Sequence, residues 1–250
     1  MTVNEKRRNL KPGALTAPIP PAIVSVGDMD SANLLTVAWT GILATVPPKT
    51  YISVRPSRHS YKILKEKGEF VINLPSADMA KKVDFVGIYT GAKMDKFEKC
   101  GLTRIPSEKV SAPTVAECPV ALECRVTEVI PMGSHDVFIA DVVSVSCKED
   151  IFDKEGKMHF ERANLLAYAH GEYYSLGERV GRFGFSTDKP EKRAKEKSAQ
   201  AASVKPEETA EARVSEKRPF YETAPRGKSS KKRTSDKNKG APRRKKQGDS

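Results

Sequence analysis

No stretch of this 250-residue chain approaches the roughly 20 consecutive apolar residues that a helix needs to cross a membrane. Its start, Met1-Thr2-Val3-Asn4-Glu5-Lys6-Arg7-Arg8-Asn9-Leu10, is charged and leads into proline-rich chain instead of the apolar core of a secretory signal. The four cysteines, Cys100, Cys118, Cys124 and Cys147, form no C-x-x-C pair and have no regularly spaced histidines, which argues against a zinc site and a disulfide framework. A soluble cytoplasmic protein with reduced thiols is expected. Catalytic signatures are also missing. There is no G-x-G-x-x-G, no Walker sequence, no G-x-S-x-G, and the chain holds 4 histidines. A dinucleotide-binding Rossmann domain, a P-loop and a nucleophile elbow are therefore not expected.

What is present divides into two parts. Residues 189–250 hold 20 Lys and Arg against 9 Asp and Glu, and Val204, Val214, Phe220 and Tyr221 are the only large apolar residues there. A segment of this composition cannot bury enough surface to offset its ordering entropy, so a disordered basic tail is expected beyond a domain spanning 1–188. The preceding 188 residues are nearly neutral, with 24 basic and 23 acidic residues. Lys231-Lys232-Arg233 and Arg243-Arg244-Lys245-Lys246 can contact RNA or another polyanion weakly, or serve only as a solvated extension.

Within the domain the apolar patterning reads as strand far more often than helix. Ala22 to Asp28, Tyr51 to Arg55 and Glu69 to Leu74 are short β-branched or apolar runs closed by Gly-Asp or proline, and Leu34 to Trp39 is another such run after a polar loop holding Asn33. A helix is predicted over Arg58 to Lys67, with Ser57 as N-cap and Gly68 as its C-terminal stop. Met79, Val83 and Val86 recur at helical spacing, and Lys93 to Lys99 before Gly101 predicts another short helix. Val120, Leu122, Cys124 and Val126 alternate with Glu123, Arg125 and Thr127, which predicts a strand wet on one face. From Val137 to Val145 both parities are apolar, as in a strand covered on both sides inside a closed barrel or under a partner subunit. Short strands without a βαβ rhythm favour a mostly β barrel with a few short helices over a doubly wound sheet.

Chemistry-bearing side chains concentrate on loops beside these strands. Arg55, Arg58 and Ser60 lie around a strand end and a helix start, where guanidinium groups, hydroxyls and free backbone N–H groups can converge on one phosphate; caps and solvated charge give the same pattern.

Taken together, the segments resemble a known family. Asn33-Leu34-Leu35-Thr36-Val37-Ala38-Trp39, then Tyr51-Ile52-Ser53-Val54-Arg55-Pro56-Ser57-Arg58-His59-Ser60, then Gly68-Glu69-Phe70-Val71-Ile72-Asn73-Leu74-Pro75 are similar, in order, to the flavin reductase-like, FMN-binding split-barrel family. Thr90-Gly91-Ala92-Lys93-Met94-Asp95-Lys96-Phe97 resembles its small-Gly-x-x-x-Asp-Lys-Phe element, and Gly133-Ser134-His135 its Gly-x-His turn. Tyr173 to Glu178 and Gly184-Phe185-Ser186 resemble the end of the domain. At Ala92 and Lys93 the family often carries an Arg.

The resemblance implies a homodimeric split β-barrel (Greek-key-like) that binds FMN, with FAD possible, and takes hydride from NADH or NADPH. It passes electrons to free flavin, a ferric chelate, another small molecule or a protein acceptor. A flavoredoxin-type electron carrier without direct nicotinamide use is the alternative, and a nucleic-acid-associated protein working through its tail is a third. By position, Asn33 and Thr36, with backbone of Val37 and Ala38, face the polar edge of the isoalloxazine, and Trp39 lies nearby. Ser53, Val54, Arg55 and Ser60 hold the phosphate, assisted by Arg58 or His59. His135 and Lys93 lie on the substrate side. Trp39 can equally be a core or dimer-interface aromatic, His135 can simply bond its own turn, and His170 reads as a satisfied core residue or a neighbour of the ring. Hydride transfer needs no side-chain acid or base.

Overall fold

The computed structural model describes residues 7–188; the basic tail expected over 189–250 lies outside the described residues. A compact unit runs to Arg182, and residues 183–188 belong to a second unit, of which one 3-10 turn, Phe185–Thr187, is described. The chain order is β1 (Ala22–Val26), β2 (Asn33–Val37), β3 (Thr40–Thr45), β4 (Pro48–Val54), α1 (His59–Lys67), β5 (Glu69–Leu74), α2 (Ala80–Ile88), α3 (Lys96–Cys100), β6 (Arg104–Ile105), β7 (Thr114–Val115), β8 (Val120–Pro131), β9 (Asp136–Cys147), β10 (Leu166–Ala169) and β11 (Glu172–Ser175).

Seven strands form one antiparallel sheet in the order β2-β1-β5-β8-β9-β4-β3. Its two edge strands, β2 and β3, are consecutive in the chain and joined only by Ala38 and Trp39. Laid flat, six strand spacings of about 4.8 Å would separate the edges by about 29 Å, whereas the link spans at most about 10 Å. The sheet must therefore roll until its edges meet. Within this crossover the Thr40 N–H donates to the Ala38 carbonyl (3.1 Å), and the Ser53 N–H of β4 donates to the Trp39 carbonyl (2.9 Å).

Period-two alternation then sorts the side chains. Val24 and Val26, Leu35 and Val37, Ile52 and Val54, Phe70 and Ile72, and Phe138 and Ala140 fill the interior, with Leu64 of α1 packed among them. The outer face of β1 and β2 is covered in turn, because Ile23 and Leu34 pack against Met79, Val83 and Val86 of the second helical segment and Phe97 of α3. β1 is thus buried along its whole length.

Several local expectations need correction. The N-cap of α1 is Arg58, not Ser57, and no side chain caps it. α3 starts at Lys96, not Lys93, because the Asp95 carboxylate accepts from the Phe97 and Glu98 N–H groups (2.9 and 3.3 Å) and fixes the first turn there. Glu123 is buried, not wet: its carboxylate accepts from the N–H groups of Glu108 and Lys109 (2.9 and 2.6 Å) and so pins a loop across β8. β9 is covered along its inner face and only partly along the other: Phe138 and Ala140 point inward and Val143 packs outside against the cluster of Val71, Val110, Ala112 and Ala121, while Val145 is 56% exposed. β3 was not expected, because its apolar residues Ile42 and Leu43 face outward, 84% and 49% exposed, and carry no alternation.

One buried amide ties three segments together. The fully buried Asn73 donates to the Ile23 carbonyl (2.9 Å) and Ser25 Oγ (3.1 Å), while its Oδ1 accepts from the Val115 N–H (2.8 Å). Asn73→Ala strands a buried donor and two acceptors, so it should lower unfolding free energy by about 2–3 kcal/mol. Urea denaturation midpoints for the two proteins measure this directly.

Candidate functional site

The seam where β2 hands over to β3 also forms one wall of a cleft. It has a volume of about 420 Å³ and is lined by Thr36 to Trp39 from the seam and Ser53 to Arg55 from the end of β4. Arg58, Gly87, His135, Tyr168 and Tyr173 also line it, with Pro21 and Leu35. A smaller recess of about 90 Å³ adjoins it, sharing Thr36, Arg58 and Gly87, and adds Asn33, Ser57, His59, Ser60, Thr90 and Lys96. No carboxylate lines either cavity.

Three cations face this space. Arg55 and Arg58 reach it from the loop between β4 and α1, and Arg58 is held by donating from Nη1 to the Gly87 carbonyl (3.0 Å). Lys96 is 5% exposed, and its Nζ donates to the carbonyl oxygens of Leu34 and Val86, both at 2.8 Å. Burial, and then the nearby Arg58 charge, push the Lys96 ammonium down to about 8. A buried ammonium with two carbonyls and no carboxylate retains capacity for an anion. The uncapped start of α1, with no acidic residue in its first turn, aims the same polarity at the recess.

The recess is shaped by a close approach. Asn33 Nδ2 donates to the buried Ser60 Oγ (2.6 Å), and a Cβ at Gly91 would lie 1.9 Å from Asn33 Oδ1. Any side chain at position 91 must displace Asn33. The structure therefore groups Asn33 with Ser60 and Lys96, not with the Val37–Ala38 backbone as expected. Thr36 does line the cleft, but its hydroxyl proton goes to the Val83 carbonyl, leaving it only acceptor capacity.

At the other end of the cleft the rings of Trp39 and His135 lie parallel within 6°, their centroids 6.4 Å apart. Trp39 is 44% exposed, so it is not a core residue. Arg55 Nε donates to His135 Nε2 (3.3 Å), which places the imidazole proton on Nδ1, facing Ser134 Oγ at 2.9 Å. Partial burial, then the charges of Arg55 and Arg58, hold His135 below its usual range, so it is neutral at pH 7. The turn carrying it is tied to α1, because the Tyr61 hydroxyl donates to the Asp136 carboxylate. Tyr173, facing the same cleft, is pushed up to about 12 by burial and the Asp84 carboxylate, so its hydroxyl stays protonated.

Val37, Ala38, Trp39, Ser53, Val54, Arg55, Arg58 and His135 thus come together around the cleft, and Asn33, His59 and Ser60 around the recess. Lys93 is exposed on the loop before α3 and lines neither, and His170 is exposed on the β10–β11 turn instead of packed in the core. Lys96, Tyr168 and Tyr173 were not selected from sequence, although the Asp95-Lys96-Phe97 motif held the strongest of them. Among the described residues no group of His, Cys, Asp and Glu has metal-binding geometry, and no helix is long and apolar enough to cross a membrane.

The model of the flavin reductase like domain family matches residues 15–177, most of the chain. The chain belongs to the flavin reductase-like family. An uncharacterized protein of Archaeoglobus fulgidus is 35% identical over 150 residues, covering 60% of this chain and 84% of its own. Flavoredoxin of Desulfovibrio vulgaris superposes with a TM-score of 0.67 at 32% identity, over 73% of this chain and 99% of that one. Nitrilotriacetate monooxygenase component B from Bacillus cereus gives 0.60 at 26% identity, over 66% and 88%. The rolled sheet is accordingly the split barrel of this flavin reductase-like fold, and membership makes the protein a flavin-binding oxidoreductase or electron-transfer protein.

If Arg55 helps hold His135 neutral, Arg55→Met should raise the His135 midpoint toward 6.5. An NMR titration of the imidazole in both proteins decides it; an unchanged midpoint would contradict the electrostatic account.

Proposed function

We propose that the protein binds FMN at the seam, with the phosphate in the recess and the isoalloxazine in the cleft, and transfers electrons from NADH or NADPH to a small-molecule acceptor. The observation that carries this reading is the donor set: two connected cavities, three cations, several hydroxyls and no carboxylate. Bound FMN supplies the redox chemistry, accepting a hydride or electrons and passing them on. The donor set fits its dianionic phosphate, and the small recess favours the terminal phosphate of FMN over the bridging pyrophosphate of FAD.

Each residue then has a task. Arg58 and Lys96, with the Ser57 and Ser60 hydroxyls and the first N–H groups of α1, grip the phosphate. His59 assists at the rim. Ser53 and Val54 belong to the cleft wall, closer in role to the ring than to the phosphate. The seam backbone at Val37 and Ala38 offers polar groups to the ring edge, and the Thr36 hydroxyl accepts from it. Arg55 provides positive charge where negative charge grows on reduction. His135 and Trp39 border the open side, where the second substrate approaches, with Lys93 farther out.

A second reading is an electron carrier that exchanges electrons with a redox protein and makes no direct use of a nicotinamide. The likeness to flavoredoxin favours it. Anaerobic mixing of the flavin-loaded protein with NADH and NADPH separates the two: bleaching by either nicotinamide supports the reductase, and bleaching only by a protein donor supports the carrier. We also propose a homodimer built over the β3 edge, where Ile42 and Val46 are 84% and 92% exposed. The tail over 189–250 is proposed to contribute at most weak polyanion contact.

Wild-type protein incubated with FMN and desalted should keep its visible flavin bands. Arg58→Ala should bind FMN about 10- to 100-fold more weakly, the loss of a charge-assisted hydrogen bond to phosphate. Above pH 8 Lys96 loses its proton, so wild-type FMN affinity should fall as pH rises from 7 to 9.5, while Lys96→Met should bind weakly throughout. Fluorescence titrations at each pH test this, and equal pH profiles for the two proteins would remove Lys96 from the phosphate site.

A further inference from the structure

More positive charge gathers outside the cleft than a bound flavin needs. From Arg55 to Lys65 the chain holds Arg55, Arg58, His59, Lys62 and Lys65 and no Asp or Glu; Glu66 is the first acidic residue after them. Lys62 and Lys65 are exposed on α1, and neither lines the cleft or the recess. No carboxylate among the described residues pairs with either.

Three contacts join this run to the β8–β9 turn, residues 132–135, as one surface. Arg55 Nε donates to His135 Nε2 (3.3 Å), the Tyr61 hydroxyl donates to the Asp136 carboxylate, and Lys65 Nζ lies 5.7 Å from the centre of the Tyr61 ring. Asp136 is half-buried and engaged by that hydroxyl. The turn is closed by the Met132 N–H, which donates to the His135 carbonyl (2.8 Å), and by Gly133 at a φ of 80°. Met132 is 65% exposed. An exposed methionine beside clustered cations suits contact with a macromolecule, because the thioether adapts to an uneven surface and the charges attract an acidic one. His135 and Trp39 border the cleft next to this face, so a molecule seated on it lies beside the ring site.

We propose that this face docks a small acidic carrier protein that exchanges single electrons with flavin in the cleft. The proposal rests on the flavin reading of the cleft and names the partner for the electron-carrier reading. Two reduced carrier molecules, each giving one electron, and two protons from water convert one bound FMN to its dihydro form and leave two oxidised carriers. Electron-transfer complexes often bury less than about 1,200 Å² in total, so the start of one helix and one turn provide enough surface. Attraction between the face and the carrier raises the encounter rate, and salt screens it.

The test is stopped-flow reduction of the full-length, FMN-loaded protein by reduced plant-type ferredoxin, an acidic carrier. Reduced methyl viologen, a small cationic one-electron donor, is the control. Ferredoxin should bleach the flavin at a rate that falls about tenfold as ionic strength rises from about 20 to about 200 mM. The double variant Lys62→Glu with Lys65→Glu should slow ferredoxin about tenfold or more at low salt, and Met132→Glu about threefold. Methyl viologen should reduce both variants at least as fast as wild type. Both should retain FMN, since none of the three side chains lines either cavity. The basic tail is the same in all three proteins, so the differences report the face alone.

Equal ferredoxin rates in wild type and the double variant, or a rate that does not fall with salt, would overturn the proposal. So would a wild-type dimer that sedimentation shows to dissociate in the double variant, because the face then belongs to a second copy. An unchanged ferredoxin rate beside weakened binding of single-stranded DNA would overturn it in favour of nucleic acid. If the protein retained no flavin, cosedimentation with oxidised ferredoxin at low salt would decide. Loss of cosedimentation in the double variant would support the face while the flavin reading fell, and no difference would overturn the face as well.

Discussion

Two residues, Ala38 and Trp39, join the opposite edges of a seven-stranded sheet, and that covalent limit is what the rest of the molecule depends on. Because the edges must meet, the sheet closes on a hydrophobic interior and the chain at the seam is drawn out of regular pairing. Backbone there is available to a ligand as it is nowhere inside a completed ladder. The ends of β2 and β4, the start of α1 and the β8–β9 turn all converge on this one place. Fold and site are two consequences of the same short connection.

Electrostatics makes the place specific. A lysine buried against two carbonyl oxygens is unfavourable in isolation, as its lowered ionisation shows. Arg58 close by adds repulsion instead of relief. The arrangement makes physical sense when an anion belongs beside them, since one dianion relieves both the desolvation and the repulsion. His135 responds to the same field by staying neutral, so the open side of the cleft carries no further charge beyond Arg55. A neighbouring cavity of about 580 Å³, which shares Ala38, Trp39 and Tyr168 with the cleft, is lined by no Asp, Glu, Lys or Arg, so the cationic character is confined to the cleft and recess.

Most of this was legible in the residues, and the exceptions are instructive. β1, β2 and β5 could be read because turn residues bound runs of buried apolar side chains. β3 could not, because its Ile42 and Leu43 point outward. Glu123 looked like one wet position in an alternating strand, yet a loop distant in sequence turned it inward through two backbone hydrogen bonds. The candidate site was visible chiefly through the ordered motifs around Asn33, Arg55 and Gly91. Spacing could not say that Asn33 pairs with Ser60 while Thr36 donates to Val83, since those partners are set by tertiary packing. Lys96 sat in a recognised motif, but nothing local reveals that a lysine will be buried.

The most direct test of the seam as the flavin site is a crystal structure of the protein soaked or grown with FMN. The account predicts the phosphate in the recess, within hydrogen-bonding reach of Lys96 Nζ and the Arg58 guanidinium, and the isoalloxazine along Val37, Ala38 and Trp39. Phosphate density at the outer mouth by Arg55 with the recess filled only by water, or flavin bound away from the seam altogether, would contradict it.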